Sequence, residues 1–251
     1  MSSLPTDIWQ VIVGFCPRKL MFREVCKQLS ELEYDILYMY LPKHRPIINF
    51  PTNFRVEKLY PSILTKNLQQ TGINFEHVRF IECGLNTCLE DKDLLLLPNL
   101  TTLYCGRNTN FTNAGLIGLK KLTLLDCGYN TNFTDESLVH LLNLESLECN
   151  RNTNFTNEGI AGLKKLKRLM CGHNTKLTDA LLIELPNLTY IHCQCNLNFT
   201  NQGLHHLPLL ENVISRKDGH ITKEYVKRHL PLVHCRIVNE YGFADDEFVL
   251  L

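Results

Sequence analysis

Residues 122–143 read LTLLDCGYNTNFTDESLVHLLN, and this 22-residue pattern decides the fold because it recurs along most of the chain. The same step separates six cysteines, namely Cys83, Cys105, Cys127, Cys149, Cys171 and Cys193. An asparagine follows three residues after each of them, at Asn86, Asn108, Asn130, Asn152, Asn174 and Asn196. A fixed period of this length is typical of a solenoid, in which each unit packs against its neighbours.

Each position of the unit has a physical role in such a stack. The spacing of Leu122, Leu125 and Cys127 predicts a short strand that turns these side chains inward, and parallel strands stack about 4.8 Å apart. A free cysteine suits the inner slot because it behaves as a small hydrophobic residue. The amide of Asn130 can pair with loop backbone, and Thr134 can cap a short helical turn. The sequence therefore predicts an α/β repeat solenoid.

The repeat is strongest between residues 100 and 209 and weaker at both ends. The first unit, 78–99, lacks the Phe-Thr pair, and a seventh unit has Ser215 and Asp218 at the cysteine and asparagine positions. We assign six to seven units to residues 78–231. Residues 232–251 are interpreted as a C-terminal cap, with a terminal strand at 232–238 and an acidic and apolar tail.

Composition narrows the class of protein. The chain has 251 residues, 26 basic and 26 acidic side chains, and 44% hydrophobic residues, which are the values of an ordinary globular protein. Because the charges balance, we expect no nucleic-acid partner and no anionic membrane partner. No apolar run approaches 18 residues and the start lacks the pattern of a secretory signal, so we expect a cytoplasmic protein without a membrane span.

Eleven cysteines raise the alternative of a metal or disulfide array. No C-x-x-C pair occurs, and the repeat assigns six cysteines to parallel strands, where their side chains do not converge. His192-Cys193-x-Cys195 is the local cluster with zinc-ligand residue types, although the repeat directs Cys193 inward. The sequence also lacks the common phosphate-binding and hydrolase motifs. We expect no enzyme activity, catalytic residue, cofactor or metal.

The residues that flank the inward leucines predict the exposed face of the sheet. This face combines aromatic residues, arginines and carboxylates, which are typical of protein interfaces. An ordinary solvated face is the alternative. The candidate binding residues are Tyr104, Arg107, Asp126, Tyr129, Glu148, Arg151, Arg168, Met170, His173, Tyr190 and His192.

The opening of the unit, L-x-x-L-x-C-x-x-N, resembles the leucine-rich repeat, with cysteine at its third apolar position. Its second half resembles a shortened cysteine-containing leucine-rich repeat. The resemblance covers about 150–160 residues. It implies a right-handed arc with a parallel sheet on the concave side.

The N-terminal residues have a different pattern. Apolar residues at helical spacing predict three short helices ending near Tyr40, and four prolines between 42 and 61 follow them. We interpret residues 1–41 as a helical region and 42–77 as a connector or cap. The motifs Leu4-Pro5-x-Asp7-Ile8-Trp9 and Arg23-Glu24-Val25-Cys26-Lys27, with Leu32 and Asp35, resemble an F-box over residues 3–40. A plain cap for the solenoid is the alternative.

The F-box resemblance implies a non-catalytic adaptor of a Skp1-cullin-F-box-type ubiquitin ligase. The repeats would bind its substrate, and a Skp1-like subunit would contact Leu4, Pro5, Ile8, Val25 and Leu32. The second hypothesis is a structural scaffold or minor component of a large assembly such as a virus particle, because giant DNA viruses carry many proteins of similar organisation. A viral protein would lie in the host cytoplasm or in the virion.

Overall fold

We describe the protein from a computed structural model. The structure describes residues 34–40, 54–60, 68, 75–83, 89–108 and 110–238, and for the first two of these ranges it describes the backbone only.

A single parallel sheet of ten strands runs through these residues, and the order of the strands in the sheet is their order in the chain. The register follows the 22-residue step, so that Leu103 pairs with Leu125 and Leu125 pairs with Leu147. The strands are β1 (Tyr34–Tyr40), β2 (Phe54–Tyr60), β3 (Phe80–Glu82), β4 (Thr102–Tyr104), β5 (Leu124–Asp126), β6 (Ser146–Glu148), β7 (Arg168–Met170), β8 (Tyr190–His192), β9 (Asn212–Arg216) and β10 (His234–Val238).

The start of the sheet differs from the sequence prediction. A helix was expected to end near Tyr40 and the repeats to begin at Val78, but β1 and β2 already form two parallel strands that join β3. Aromatic residues in YDILYMY favour a strand, and the edge of a growing sheet offers backbone partners. The prediction of a helix over 34–40 is therefore wrong. The terminal strand expected within 232–238 is confirmed as β10.

The remaining terminal predictions fall outside the described residues. Leu4, Pro5, Ile8, Val25 and Leu32 belong to this group, as does the tail from 239 to 251. The boundaries proposed for the F-box-like region, the connector and the C-terminal cap stay predictions. The strand β1 lies within the first of these regions and β2 within the second.

From β3 onward, short helical segments return the chain from each strand to the next along the outer side of the solenoid. They have three to seven residues, too few to be stable alone, so packing against neighbouring units maintains them. The α-helical segments are Asp91–Leu94, Asn113–Leu116, Asn157–Ala161, Asp179–Ile183 and Lys223–His229. Segments of 3-10 helix are Phe75–His77, Asp135–Ser137 and Gly203–His206.

The cysteines of the repeat lie in one continuous apolar core, and all six are fully buried. Burial raises the pKa of the Cys127 thiol well above its usual range and that of Cys193 to about 12. The Cys127 amide donates to the Glu148 carbonyl at 2.8 Å, and its thiol donates to the same oxygen at 3.4 Å. The expected apolar slot is confirmed. The weak sulfur hydrogen bond, however, was not apparent from the sequence.

The buried asparagines connect successive units through their side-chain amides. Asn152 Nδ2 donates to the Asn130 carbonyl at 2.7 Å and to the Phe133 carbonyl at 3.3 Å. Its Oδ1 accepts from the Asn154 amide at 2.9 Å. Since Asn152 has no solvent exposure, these three bonds satisfy groups that water cannot reach. The predicted pairing of the asparagine with loop backbone is confirmed.

The threonines make contacts between units that were not predicted. Thr112 caps its own helix by accepting from the Ala114 amide at 3.3 Å. Thr156 forms no such cap; its amide and hydroxyl donate to Asp135 of the preceding unit at 2.9 and 2.7 Å. We call this contact the Asp–Thr latch. Asp91, Asp135 and Asp179 make it, while Asn113, Asn157 and Asn201 make an amide version in the intervening units.

Candidate protein-binding surface

The strand ends form a row on the inner face of the sheet. In β4 to β6 and in β8 the middle residue is buried and both flanking residues are half-buried, while in β7 Arg168 is exposed. Pairing of the strands places the last residues side by side. We define the inner row as Tyr104, Asp126, Glu148, Met170 and His192, all of which were expected on this face.

A second row follows two residues after the repeat cysteines from Cys105 onward, where the backbone is left-handed. Arg107, Tyr129, Arg151 and His173 have φ of 63, 63, 60 and 63°, and Cys195 has 61°. This conformation costs a residue other than glycine about 1–2 kcal/mol. It directs each amide to the next unit, since Tyr129 N donates to the Asn150 carbonyl at 2.8 Å. We define Arg107, Tyr129, Arg151 and His173 as the turn row.

Two arginines of the turn row face the same tyrosine. The Cζ atom of Arg107 lies 4.3 Å from the centre of the Tyr129 ring, and that of Arg151 lies 5.2 Å from it. In the same way, Arg168 lies 4.3 Å from the ring centre of Tyr190, the first residue of β8. Cation–π contacts of this kind hold long side chains in place. The structure thus brings the predicted arginines and tyrosines together in stacked groups.

The carboxylates of the inner row repel each other. Asp126 pairs with Glu148 across β5 and β6, so like charges lie directly opposite. Burial raises the pKa of Asp126, with a smaller rise from Glu82 and an opposing hydrogen bond from the Gly128 amide. Burial also raises the pKa of Glu148, and the negative charge of Asp126 raises it further. Neither carboxylate forms an ion pair with any residue that the structure describes.

Removing one of these charges is expected to stabilise the free protein. When folding raises the pKa of a carboxyl group, its protonated form stabilises the folded state. This contribution is complete below the pKa of the unfolded state and is lost as the pH rises through the pKa of the folded state. Glu148→Gln keeps an acceptor for the Asn150 amide. We therefore expect a higher melting temperature than wild type at pH 7 and no difference near pH 3. Thermal unfolding across this pH range tests it, and an equal gain at both pH values would contradict it.

The other end of the inner row carries imidazoles. Burial lowers the pKa of His192, partly offset by a hydrogen bond that the ring donates to Gln194, and a positive charge on His173 lowers it further. Burial, then Arg151 and Arg216, lowers the pKa of His173. Both shifts favour the neutral form of these rings. Within the described residues, His192 Nδ1 is buried without a hydrogen-bond partner.

The zinc alternative gains no support from the geometry. Cys193 is fully buried, whereas His192 lies half-buried on the inner face. The thiol of Cys195 accepts from the Arg216 guanidinium at 3.4 Å. No group of three or more potential metal ligands occurs among the residues that the structure describes.

The outer side of the solenoid carries a second feature, which was missed. Apolar residues recur at the 22-residue step at the C-terminal ends of five helical segments, and most are exposed. The repeated spacing in the sequence was the available signal. We define the outer ladder as Leu95, Ile117, Val139, Ala161 and Ile183. Ala161, which is half-buried, is its smallest member.

Within the described part of the chain, no helix is both long enough and apolar enough to cross a lipid bilayer.

Comparisons with known proteins address the fold. No protein-family model matches this chain, and no curated protein sequence matches it. An internalin of Listeria monocytogenes, inlF, is similar in structure over 86% of this chain and 70% of its own, with a TM-score of 0.55 and 15% identity. Internalin C2 of the same organism is 24% identical over 64% of this chain and 70% of its own, with a TM-score of 0.49.

Internalins are leucine-rich-repeat proteins, and the inlF match agrees with the parallel sheet and the short outer helices. The fold predicted from the repeat, a leucine-rich-repeat solenoid, is confirmed. At these identities the similarity concerns the fold alone.

Proposed function

We propose that this chain is a non-catalytic protein-interaction module that binds its partner with the inner row and the turn row. The observation that carries the proposal is the pair of arginines stacked on Tyr129 beside the carboxylates of Asp126 and Glu148, which form no ion pair among the described residues. Arginine and tyrosine supply most of the binding energy in many interfaces, and pre-stacked side chains lose less entropy on binding.

A protein is favoured over other partner classes because this surface carries both charge signs. A nucleic acid or an anionic membrane is bound by clusters of positive charge without facing carboxylates. A protein surface can instead match acidic, basic and aromatic groups within a few repeats.

The test is comparative capture of binding partners from cells of the source organism. Tyr129→Ala/Arg151→Ala removes the stacked group from the inner side, and Lys121→Ala/Lys165→Ala alters two exposed lysines of the outer turns as a control. Quantitative mass spectrometry should find proteins that are retained by wild type and the control and depleted at least about tenfold by the first variant. Equal capture by all three proteins would contradict the proposal.

The more specific proposal is an adaptor of a ubiquitin ligase that acts in the cytoplasm. It rests on the F-box resemblance of Leu4, Pro5, Ile8, Val25 and Leu32. Because Asp35 lies in β1, the proposal is now limited to residues 1–33. In this arrangement a Skp1-like subunit binds the N-terminal residues, the inner face binds the substrate, and other subunits perform the transfer chemistry.

Co-purification with Skp1-like proteins tests the adaptor. Leu4→Ala/Pro5→Ala/Ile8→Ala should abolish the association without altering the repeats, which avoids a deletion that would remove β1. Partner capture by the inner face should persist in this variant. Failure of wild type to retain any Skp1-like protein from a representative set would exclude the adaptor and leave the interaction module intact.

The second candidate is a structural component of a large assembly, such as a virus particle. The exposed outer ladder favours it, because apolar patches on a surface mark contact sites. A structural component should occur in a fixed ratio to the main proteins of an isolated particle, and quantitative mass spectrometry of purified particles measures that ratio.

A further inference from the structure

The outer ladder is a line of exposed apolar side chains on well-packed units. Leu95, Ile117, Val139 and Ile183 are 60, 54, 59 and 55% exposed, and Leu142, beside Val139, is 57% exposed. Isolated exposed apolar residues need no explanation, but four of them at one position of the repeat, with the half-buried Ala161 between Val139 and Ile183, form a patch.

A groove interrupts the ladder between the Asp135–Ser137 turn and the Asn157–Ala161 helix. Val139, Leu142 and Leu163 line it, together with Gly159 and Gly162. A Cβ atom added at Gly162 would meet no other atom within 4 Å, so this part of the groove is open. An apolar side chain from another molecule can therefore insert between Val139 and Leu163.

Opposite charges border the ladder on its two sides. Glu136 and Glu158 lie in the first turns of their helical segments, where Glu136 accepts from Asn113 at 3.3 Å. Exposed lysines, Lys120 and Lys164, lie in the turns that lead back to the strands. Lys164 pairs with Glu184 at 2.6 Å on the exposed surface.

This order of acidic border, apolar ladder and basic border is self-complementary under one twofold symmetry. A twofold axis parallel to the ladder places the acidic border of one protomer against the basic border of the other and the ladder against itself. A twofold axis across the ladder would place like charges together. The charge pattern therefore selects both the occupant and its orientation.

We propose that the outer ladder is the interface of a homodimer in which a second copy of this chain lies parallel to the first, with Glu158 facing Lys164 of the partner and Glu136 lying between Lys120 and Lys164 of the partner. The outer faces of two arcs curve away from each other, so the contact centres on Val139, Leu142 and the groove. Such a small contact gives a weak, concentration-dependent dimer. The inner row and turn row stay accessible for a different partner.

Analytical ultracentrifugation of the full-length protein in reducing buffer tests the interface. Between about 1 μM and about 1 mM, the range of weak association, wild type should shift from monomer to dimer. Val139→Asp should weaken dimerisation at least about tenfold, since it places a carboxylate in an apolar contact. Leu232→Asp is the matched control, because Leu232 is 94% exposed and lies off the ladder; it should dimerise like wild type.

Charge exchange tests whether the two charged borders take part in the contact. Glu136→Lys/Glu158→Lys and Lys120→Glu/Lys164→Glu should each be monomeric alone, and an equimolar mixture should form heterodimers, because each then meets the opposite charge. Three results would overturn the proposal. They are a wild type that is monomeric at all concentrations, a Val139→Asp variant that dimerises like wild type, and charge variants that do not form heterodimers with each other. If the ends of the same chain covered the ladder, the wild type would be monomeric at all concentrations. Tyr129→Ala/Arg151→Ala should dimerise normally, which separates this interface from the inner face.

Discussion

Replacing Asn152 by leucine is expected to lower the free energy of unfolding by about 4 kcal/mol, because the substitution leaves two buried carbonyls and one half-buried amide without partners. These are the carbonyls of Asn130 and Phe133 and the amide of Asn154, which the Asn152 side chain now satisfies. Leucine has a similar size, so the loss reports on hydrogen bonding. Chemical denaturation followed by circular dichroism measures it, provided that the transition is fitted for both variants with the same model.

The control is Asn143→Leu, which makes the same chemical change in an exposed turn. Asn143 Nδ2 donates to the Lys120 carbonyl at 2.9 Å, but water can replace that bond. Its expected loss is below about 1 kcal/mol. Similar losses for the two variants would show that burial of the asparagine does not determine its contribution.

Replacing Gly159 by alanine is expected to destabilise the protein by about 3 kcal/mol, although alanine is the better helix former. The new methyl group would lie 2.0 Å from Asp135 Oδ1 and 2.4 Å from its Cγ. To make room, the carboxylate must move and lose its bonds to the Thr156 amide and hydroxyl. Thermal and chemical unfolding of the purified variant measure this cost.

Gly162→Ala is the matched control in the next turn of the chain. Its Cβ would meet nothing within 4 Å, and its φ of −70° suits any residue. We expect a change between zero and a gain of about 1 kcal/mol. If both alanine variants lost the same stability, the lack of space beside Asp135 could not be the reason for a glycine at position 159. The Asp–Thr latch would then not require it.

The latch also explains an alternation along the repeats. Asp91, Asp135 and Asp179 are each followed 24 residues later by a glycine, at Gly115, Gly159 and Gly203, and an added Cβ would contact the aspartate at 2.5, 2.0 and 2.1 Å. Asn113 and Asn157 are followed at the same distance by Ser137 and Leu181. Successive units therefore pack with two alternating sets of contacts.

The inner row and the turn row could be predicted in part. The alternation of each strand was enough to place Asp126 and Glu148 on the inner face. It could not show that the guanidinium groups of Arg107 and Arg151 turn to Tyr129 instead of pairing with these carboxylates, because this depends on side-chain directions set by left-handed turns. The raised pKa of Glu148 likewise depends on its burial between neighbouring strands.

The sequence by itself determined the solenoid, since a 22-residue period of leucine, cysteine and asparagine can bury its apolar positions only by stacking. It also determined the inward direction of the cysteines, because alternation in a strand leaves no choice of face. The tertiary structure decided what depends on neighbouring units. This includes the entry of residues 34–40 into the sheet, where strand pairing outweighed a helical apolar pattern, the partners of Thr156, and the charged borders of the outer ladder. These features involve residues about 20 positions apart, and only the stacking of the repeats brings them into contact.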